Sequence, residues 1–125
     1  MKKLIHAIVL GALGMSLAAQ ADSRVVELWQ CTLQEGKTME EVAAANAKWL
    51  AFVNKAVEGG DIHSYALESI VGDSTSFKFA DTFPSRKAWA VAKDAIDSPA
   101  GEAVEEGFKG LFDCTENRLY NSTEH

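Results

Sequence analysis

His63-Ser64-Tyr65-Ala66-Leu67-Glu68-Ser69-Ile70-Val71 and Ser76-Phe77-Lys78-Phe79-Ala80-Asp81-Thr82-Phe83, parted by Gly72-Asp73-Ser74, are the stretch on which the fold turns. Both runs carry the branched and aromatic residues that suit a pleated strand, and the residues between them favour a tight turn. The pattern predicts a β-hairpin with strands at 63–71 and 76–83. Working upstream, Gly59-Gly60 is a helix stop, and Thr38-Met39-Glu40-Glu41 is a capping box that opens the helix. Met39, Val42, Trp49, Leu50, Val53 and Val57 recur on one face of it. Before that helix, Arg24 to Leu33 (RVVELWQCTL) reads as a first strand, closed by a turn at 34–37.

Downstream of the hairpin, Pro84 ends the strand and Ser85 caps a second helix with Ala88, Trp89, Ala92, Ala95 and Ile96 inward. Ser98-Pro99 breaks and restarts that helix. Val104, Phe108, Leu111 and Phe112 prolong its apolar stripe, and Cys114 to Asn121 reads as a last strand. The order is β-α-β-β-α-β, the split βαβ of an α+β, ferredoxin-like fold: a four-stranded antiparallel sheet with helices on one face. Right-handed crossovers set the last strand beside the first, antiparallel. Cys31 and Cys114 then meet at one place in the sheet, and a disulfide between them is expected in an oxidising compartment.

The N-terminus supplies that compartment. Met1-Lys2-Lys3, an apolar run from Leu4 to Leu17 and Ala18-Ala19-Gln20-Ala21 have the three parts of a secretory signal peptide, with cleavage after Ala21. The run is shorter than the ~18 residues of a membrane span. Of 125 residues, removal of 21 leaves 104, a single domain over 22–125 that is periplasmic or secreted. Loss of Lys2 and Lys3 from the 12 basic residues leaves ten against 18 acidic ones. That charge disfavours nucleic acid and anionic membrane as partners, and its even spread along the chain reads as a solvated surface.

The stretch Phe77 to Trp89 resembles antibiotic-monooxygenase-type domains of the dimeric α+β barrel superfamily. Those domains carry an acidic residue, an aromatic two positions on, Ser, then an apolar pair opening the second helix; here these are Asp81, Phe83, Ser85, and Ala88 with Trp89. The turn Leu33 to Lys37 is similar too. The resemblance implies a homodimer whose uncovered sheet faces enclose a cavity, with Phe83 lining it and Trp29 facing it. It implies cofactor-free oxygenases, isomerases, haem enzymes or domains without a reaction. Haem-degrading relatives place a His on the second helix, and this chain has none between Ser85 and Asp113, so no cofactor is expected.

The residues themselves offer a short list for chemistry. A cofactor-free oxygenase needs a base and hydrogen-bond donors in a dry pocket. His63 and Tyr65 share a strand face and are candidates for base and donor; the competing reading makes His63 an exposed strand start. Asp81, beside Phe79 and Phe83, is a candidate base with a raised pKa, or else an acid that accepts from amides near Ser85 to Lys87. Asn46 interrupts the apolar face of the first helix, so it bonds a neighbouring strand or a ligand. Trp29, Trp49 and Trp89 are core or the wall of an aromatic ligand site. No triad, metal site or phosphate loop is present in the pattern. Three functions remain open: a binder of a small apolar or aromatic compound, a cofactor-independent monooxygenase or isomerase, and an interaction module without a cavity. A cavity that joins His63, Tyr65 or Asp81 to the aromatics favours the enzyme.

Overall fold

The computed structural model describes residues 23–125, so the expected signal peptide lies outside the described residues. Strand β1 (Ser23–Leu33) leads into helix α1 (Met39–Ala56), strand β2 (His63–Glu68), strand β3 (Ser76–Phe83), helices α2 (Arg86–Ile96) and α3 (Pro99–Glu105), a 3-10 turn (Glu106–Phe108) and strand β4 (Phe112–Thr123). The sheet order is β2-β3-β1-β4, and each neighbouring pair is antiparallel. This is the expected ferredoxin-like fold.

Local chemistry fixes the elements. Thr38 Oγ accepts from the Glu41 amide at 3.3 Å while the Glu41 carboxylate accepts from the Thr38 amide at 2.9 Å, so α1 opens on the anticipated capping box. Beyond α1 the backbone takes positive φ at Gly59, Gly60 and Asp61. The Asn54 side chain clamps this reversal, donating to the Ile62 carbonyl and accepting from the Ile62 amide, both at 2.9 Å. Ser85 caps α2 by accepting from the Ala88 amide at 3.0 Å. Strand β2 stops three residues short of the expectation: Ser69 to Val71 join the turn, where Asp73 accepts from the Thr75 amide and hydroxyl. The turn's own hydrogen bonds outcompete the ladder there, and Ile70 and Val71 are left in solvent.

Pairing of β1 with β3 sets Val25 opposite Phe83, Glu27 opposite Asp81, Trp29 opposite Phe79 and Cys31 opposite Phe77. With the two-residue period of a strand, all eight share the face that α1 and α2 cover. One buried cluster gathers Val25, Trp49, Val53, Val57, Ile62, Phe83, Ala88 and Ala92; a second gathers Cys31, Val42, Phe77 and Phe79. Phe83 is fully buried, worth roughly 1.5–3 kcal/mol as a core side chain.

The resemblance had Phe83 and Trp29 facing a cavity on the uncovered side of the sheet. The structure corrects this: both point to the helix side, because they are in phase with Val25 and Cys31. The uncovered face instead carries Val26, Leu28, Ala80, Tyr65 and Tyr120, from alternate positions of the four strands.

Cys31 and Cys114 form the disulfide, closing a loop with a sequence separation of 83. Their Cα atoms are 3.9 Å apart, and they are direct cross-strand partners beside a bulge at Gln30/Cys31. Reduction should lower unfolding free energy by about 2–4 kcal/mol without abolishing the fold, since neither core cluster depends on Cys114. Urea unfolding with and without reductant measures this, and coincident transitions would refute it.

Candidate functional site

A cavity of about 320 Å³ opens between the helix-covered face of the sheet and helices α1, α2 and α3. That volume is at the lower end of the range for small-molecule sites, roughly 300–1,000 Å³. Its apolar wall is aromatic: Trp29 from β1, Phe79 from β3, Trp49 from α1, with Phe108 and Phe112. Phe79, Phe108 and Phe112 meet edge to face, with ring centroids 5.4–6.4 Å apart, which fixes the wall's shape. Cys114 completes the wall beside them.

Asp81 is the carboxyl in that wall, and it is buried. One oxygen, Oδ1, accepts from Ser64 Oγ at 2.5 Å, and Ser64 Oγ in turn accepts from Asn46 Nδ2 at 2.8 Å. Two strands and a helix thus hold a relay Asn46–Ser64–Asp81, set by the pairing of Ser64 with Asp81 across β2 and β3. Burial pushes the Asp81 pKa up from 3.8 to about 6. The Ser64 hydrogen bond and the Lys93 charge work against the rise, while the Glu27 and Glu105 charges support it. Asp81 therefore titrates close to neutrality, and above about pH 6 it is an ionised base against aromatic carbon.

Beside it, Glu27 is buried with three partners: Lys93 Nζ at 2.8 Å, Asn117 Nδ2 at 2.9 Å and Trp89 Nε1 at 3.2 Å. Lys93 Nζ also stands 5.2 Å from the centroid of the Trp29 ring. Lys93, Asp97 and Glu105 line the cavity, and burial raises the Glu105 pKa.

Of the residues singled out in the sequence, Asp81, Asn46, Trp29 and Trp49 meet around this cavity. Phe83 does not; it is packed solid in the first core cluster. Trp89 packs against the same cluster and spends its N–H on Glu27. His63 and Tyr65 face the other way. They pair with Thr82 and Ala80, so they lie on the uncovered face of an edge strand, exposed, with His63 Nε2 2.9 Å from Asp61 Oδ1. One sheet separates them from Asp81, and they cannot act with it inside one subunit. The alternative role for Asp81, accepting from the amides that open α2, is filled by Ser85.

Sequence reasoning missed Glu27, Ser64 and Lys93. A signal for the first existed: Glu27 is in phase with Val25, Trp29 and Cys31, so a charge was destined for the covered face. Lys93 stands four residues after Trp89, on the same helical stripe. Among the described residues, no group of three His, Cys, Asp or Glu side chains is placed to hold a metal ion.

No protein-family model and no curated protein matches the sequence. Solved structures do match by shape. SnoaB, a cofactor-independent oxygenase from Streptomyces nogalater, superposes with a TM-score of 0.61 at 15% identity, covering 84% of this chain and 97% of its own. A Nitrosomonas europaea protein described as a candidate antibiotic biosynthesis monooxygenase gives 0.52 at 14% identity, covering 81% and 89%. A dimeric ferredoxin-like protein of unknown function from Thermobifida fusca YX gives 0.51 at 9% identity, covering 82% and 92%. The chain thus shares the α+β, ferredoxin-like fold of these proteins.

Proposed function

We propose that this protein is a cofactor-independent oxygenase acting on a small, electron-rich hydroxyarene. The observation that carries the reading is Asp81: a buried carboxyl with a pKa of about 6 in the wall of an aromatic cavity. A base tuned near the working pH is what proton abstraction requires, and a positioned one is worth about 10²–10⁴-fold in rate. Asp81 takes the phenolic proton. The phenolate reduces dioxygen as a ring carbon forms the C–O bond, and the proton on Asp81 goes to the distal peroxide oxygen. Loss of water then leaves a quinone carbonyl, so one oxygen atom enters the product and one leaves as water. Flat aromatic walls from Trp29, Trp49 and Phe79 suit a ring substrate.

The test is oxygen uptake with 1-naphthol and dihydroxynaphthalenes, in the presence of a chelator and without added cofactor. One dioxygen consumed per substrate, with one labelled oxygen in the product, is expected. Saturable binding of the same compounds with no oxygen uptake would identify a binding protein instead, the function that an aromatic cavity serves without its base.

We further infer that the domain is exported and works as a homodimer. The signal-like residues 1–21 and the disulfide support export; among the described residues no helix is long and apolar enough to cross a membrane. Intact mass should show a mature chain beginning at Asp22. The uncovered sheet face supports a dimer, since Tyr65, Leu67 and Tyr120 are each about half exposed on or beside it. Scaling 13.5 kDa for 125 residues to 104 gives about 11 kDa for the mature chain, so sedimentation should find a species of about 22 kDa. A monomer at micromolar concentration would refute the dimer.

A further inference from the structure

We propose that Lys93 is the oxyanion-binding residue of the cavity and that Glu27 is the positioning residue that holds it there. The inference rests on the hydroxyarene reading of the cavity and adds the group that receives the negative charge. Lys93 Nζ has three N–H donors, and its 2.8 Å contact with Glu27 Oε1 uses one. Glu27 itself is fixed from two other sides, by Asn117 Nδ2 at 2.9 Å and Trp89 Nε1 at 3.2 Å, and is 2% exposed. A long, flexible side chain is thereby pinned at the wall, with its ammonium over Trp29 and its remaining donors free for a ligand.

Charge balance gives the substrate class. The charged groups facing the cavity are Asp81, Asp97, Glu105 and Lys93, with Glu27 behind Lys93. Carboxylates outnumber the ammonium, so a substrate that arrives as an anion is repelled. A neutral phenol or enol is not. When its proton moves to Asp81, the total charge is unchanged, and the new oxyanion replaces the old carboxylate opposite Lys93. The site therefore takes neutral, ionisable hydroxyarenes and excludes their carboxylated analogues.

The test uses the mature protein carrying Asp81→Asn, which imitates the protonated base, and 4-nitrophenol, whose absorbance reports its ionisation and which is too electron-poor to be oxidised. At fixed pH the readout is the ratio of bound phenolate to bound phenol. Adding Lys93→Met should lower the bound ratio of phenolate to phenol about tenfold or more, the scale of one charge-assisted hydrogen bond. Lys93→Arg should retain most of it. Glu27→Gln separates positioning from simple field effects. Removing a negative charge beside the cavity strengthens phenolate binding if Lys93 stays in place, whereas loss of its anchor weakens it. We expect a fall of about threefold or more. An unchanged ratio in Lys93→Met, or no bound probe up to its solubility limit, overturns the oxyanion role. A rise in Glu27→Gln overturns the positioning role. Lys93 is partly exposed, so its variants test the proposal even if Glu27→Gln fails to fold. None of these readouts needs oxygen chemistry, so absence of oxygen uptake in the wild type would leave this result standing by itself.

Discussion

Asp81→Asn should lower kcat/KM for oxygen uptake with a hydroxyarene by about 10²–10⁴-fold while making the domain more stable. The two effects have one origin. Folding moves the Asp81 carboxyl away from water and raises its pKa from 3.8 to about 6, so the ionised form opposes folding. That opposition is absent at about pH 4, grows as the pH rises to about 6, and is constant above. At pH 7 it is on the order of 2–3 kcal/mol, from 1.36 kcal/mol per tenfold change in proton affinity. Asn keeps an acceptor for Ser64 Oγ, loses the charge, and sets an NH2 donor where the second carboxylate oxygen stood. The variant's stability advantage should therefore vanish as the pH falls toward 4. Wild-type activity should fall below about pH 6 as the base becomes protonated, with Glu27, Lys93 and Glu105 the charges that tune the midpoint. A variant that keeps its activity, or is less stable at pH 7, would show Asp81 to be a structural acid. Denaturant melts at three pH values and a pH–rate profile decide it.

Gly101→Ala should be the most damaging single-methyl change in the domain. A Cβ at Gly101 would lie 2.3 Å from the carbonyl oxygens of Ala95 and Ile96 and 2.4 Å from Ile96 Cα. All three are backbone atoms at the C-terminal end of α2, so no side chain can swing aside. The junction is already tight: Ser98 Oγ accepts from the Gly101 amide at 3.2 Å and donates to the Ala95 carbonyl at 2.6 Å. An added methyl must push α3 off α2, and α3 leads directly to Glu105 and Phe108 in the cavity wall. Overpacking costs about 1–3 kcal/mol where side chains can yield, and here the upper end or more is expected. For a domain of this size that is a fall in Tm on the order of 10–20 °C. Gly107→Ala is the control, because its Cβ would meet only the Ala45 methyl at 3.9 Å, an ordinary contact. Thermal melts of the two variants should separate widely; equal values would refute the clash.

The elements were legible in the sequence because local signals agreed with one another. The capping box at Thr38 and Glu41, the cap at Ser85, the helix restart at Ser98-Pro99, and the strand-forming runs of β1 and β3 each rest on neighbouring residues, and each reappears in three dimensions. The cysteine pairing followed from two cysteines in a chain expected to be exported, and the order of elements agreed with it by setting their strands side by side. What could not be read was the side of the sheet on which a ligand site would open. Phase groups Trp29 with Phe79 and Asp81, but only the packing of α1 and α2 decides that this group is the covered one. Hence Asp81, Asn46, Trp29 and Trp49 were named and found together, while His63 and Tyr65 were named and found behind the sheet. Lys93 and Glu27 were hidden for another reason. A charged residue reads as surface until a partner from a distant element neutralises it, and these two lie on different elements, 66 positions apart in the chain.

The disulfide reaches further than stability. Cys114 is part of the cavity wall, two residues after Phe112, on a strand that pairs with the sheet on one side only. In oxidising surroundings a covalent tie pins that wall to β1. With both thiols reduced, the same wall is held by the backbone ladder and side-chain packing alone. The shape of the cavity is thus tied to the redox state of its surroundings, and reduction of the Cys31–Cys114 bond should leave a looser pocket.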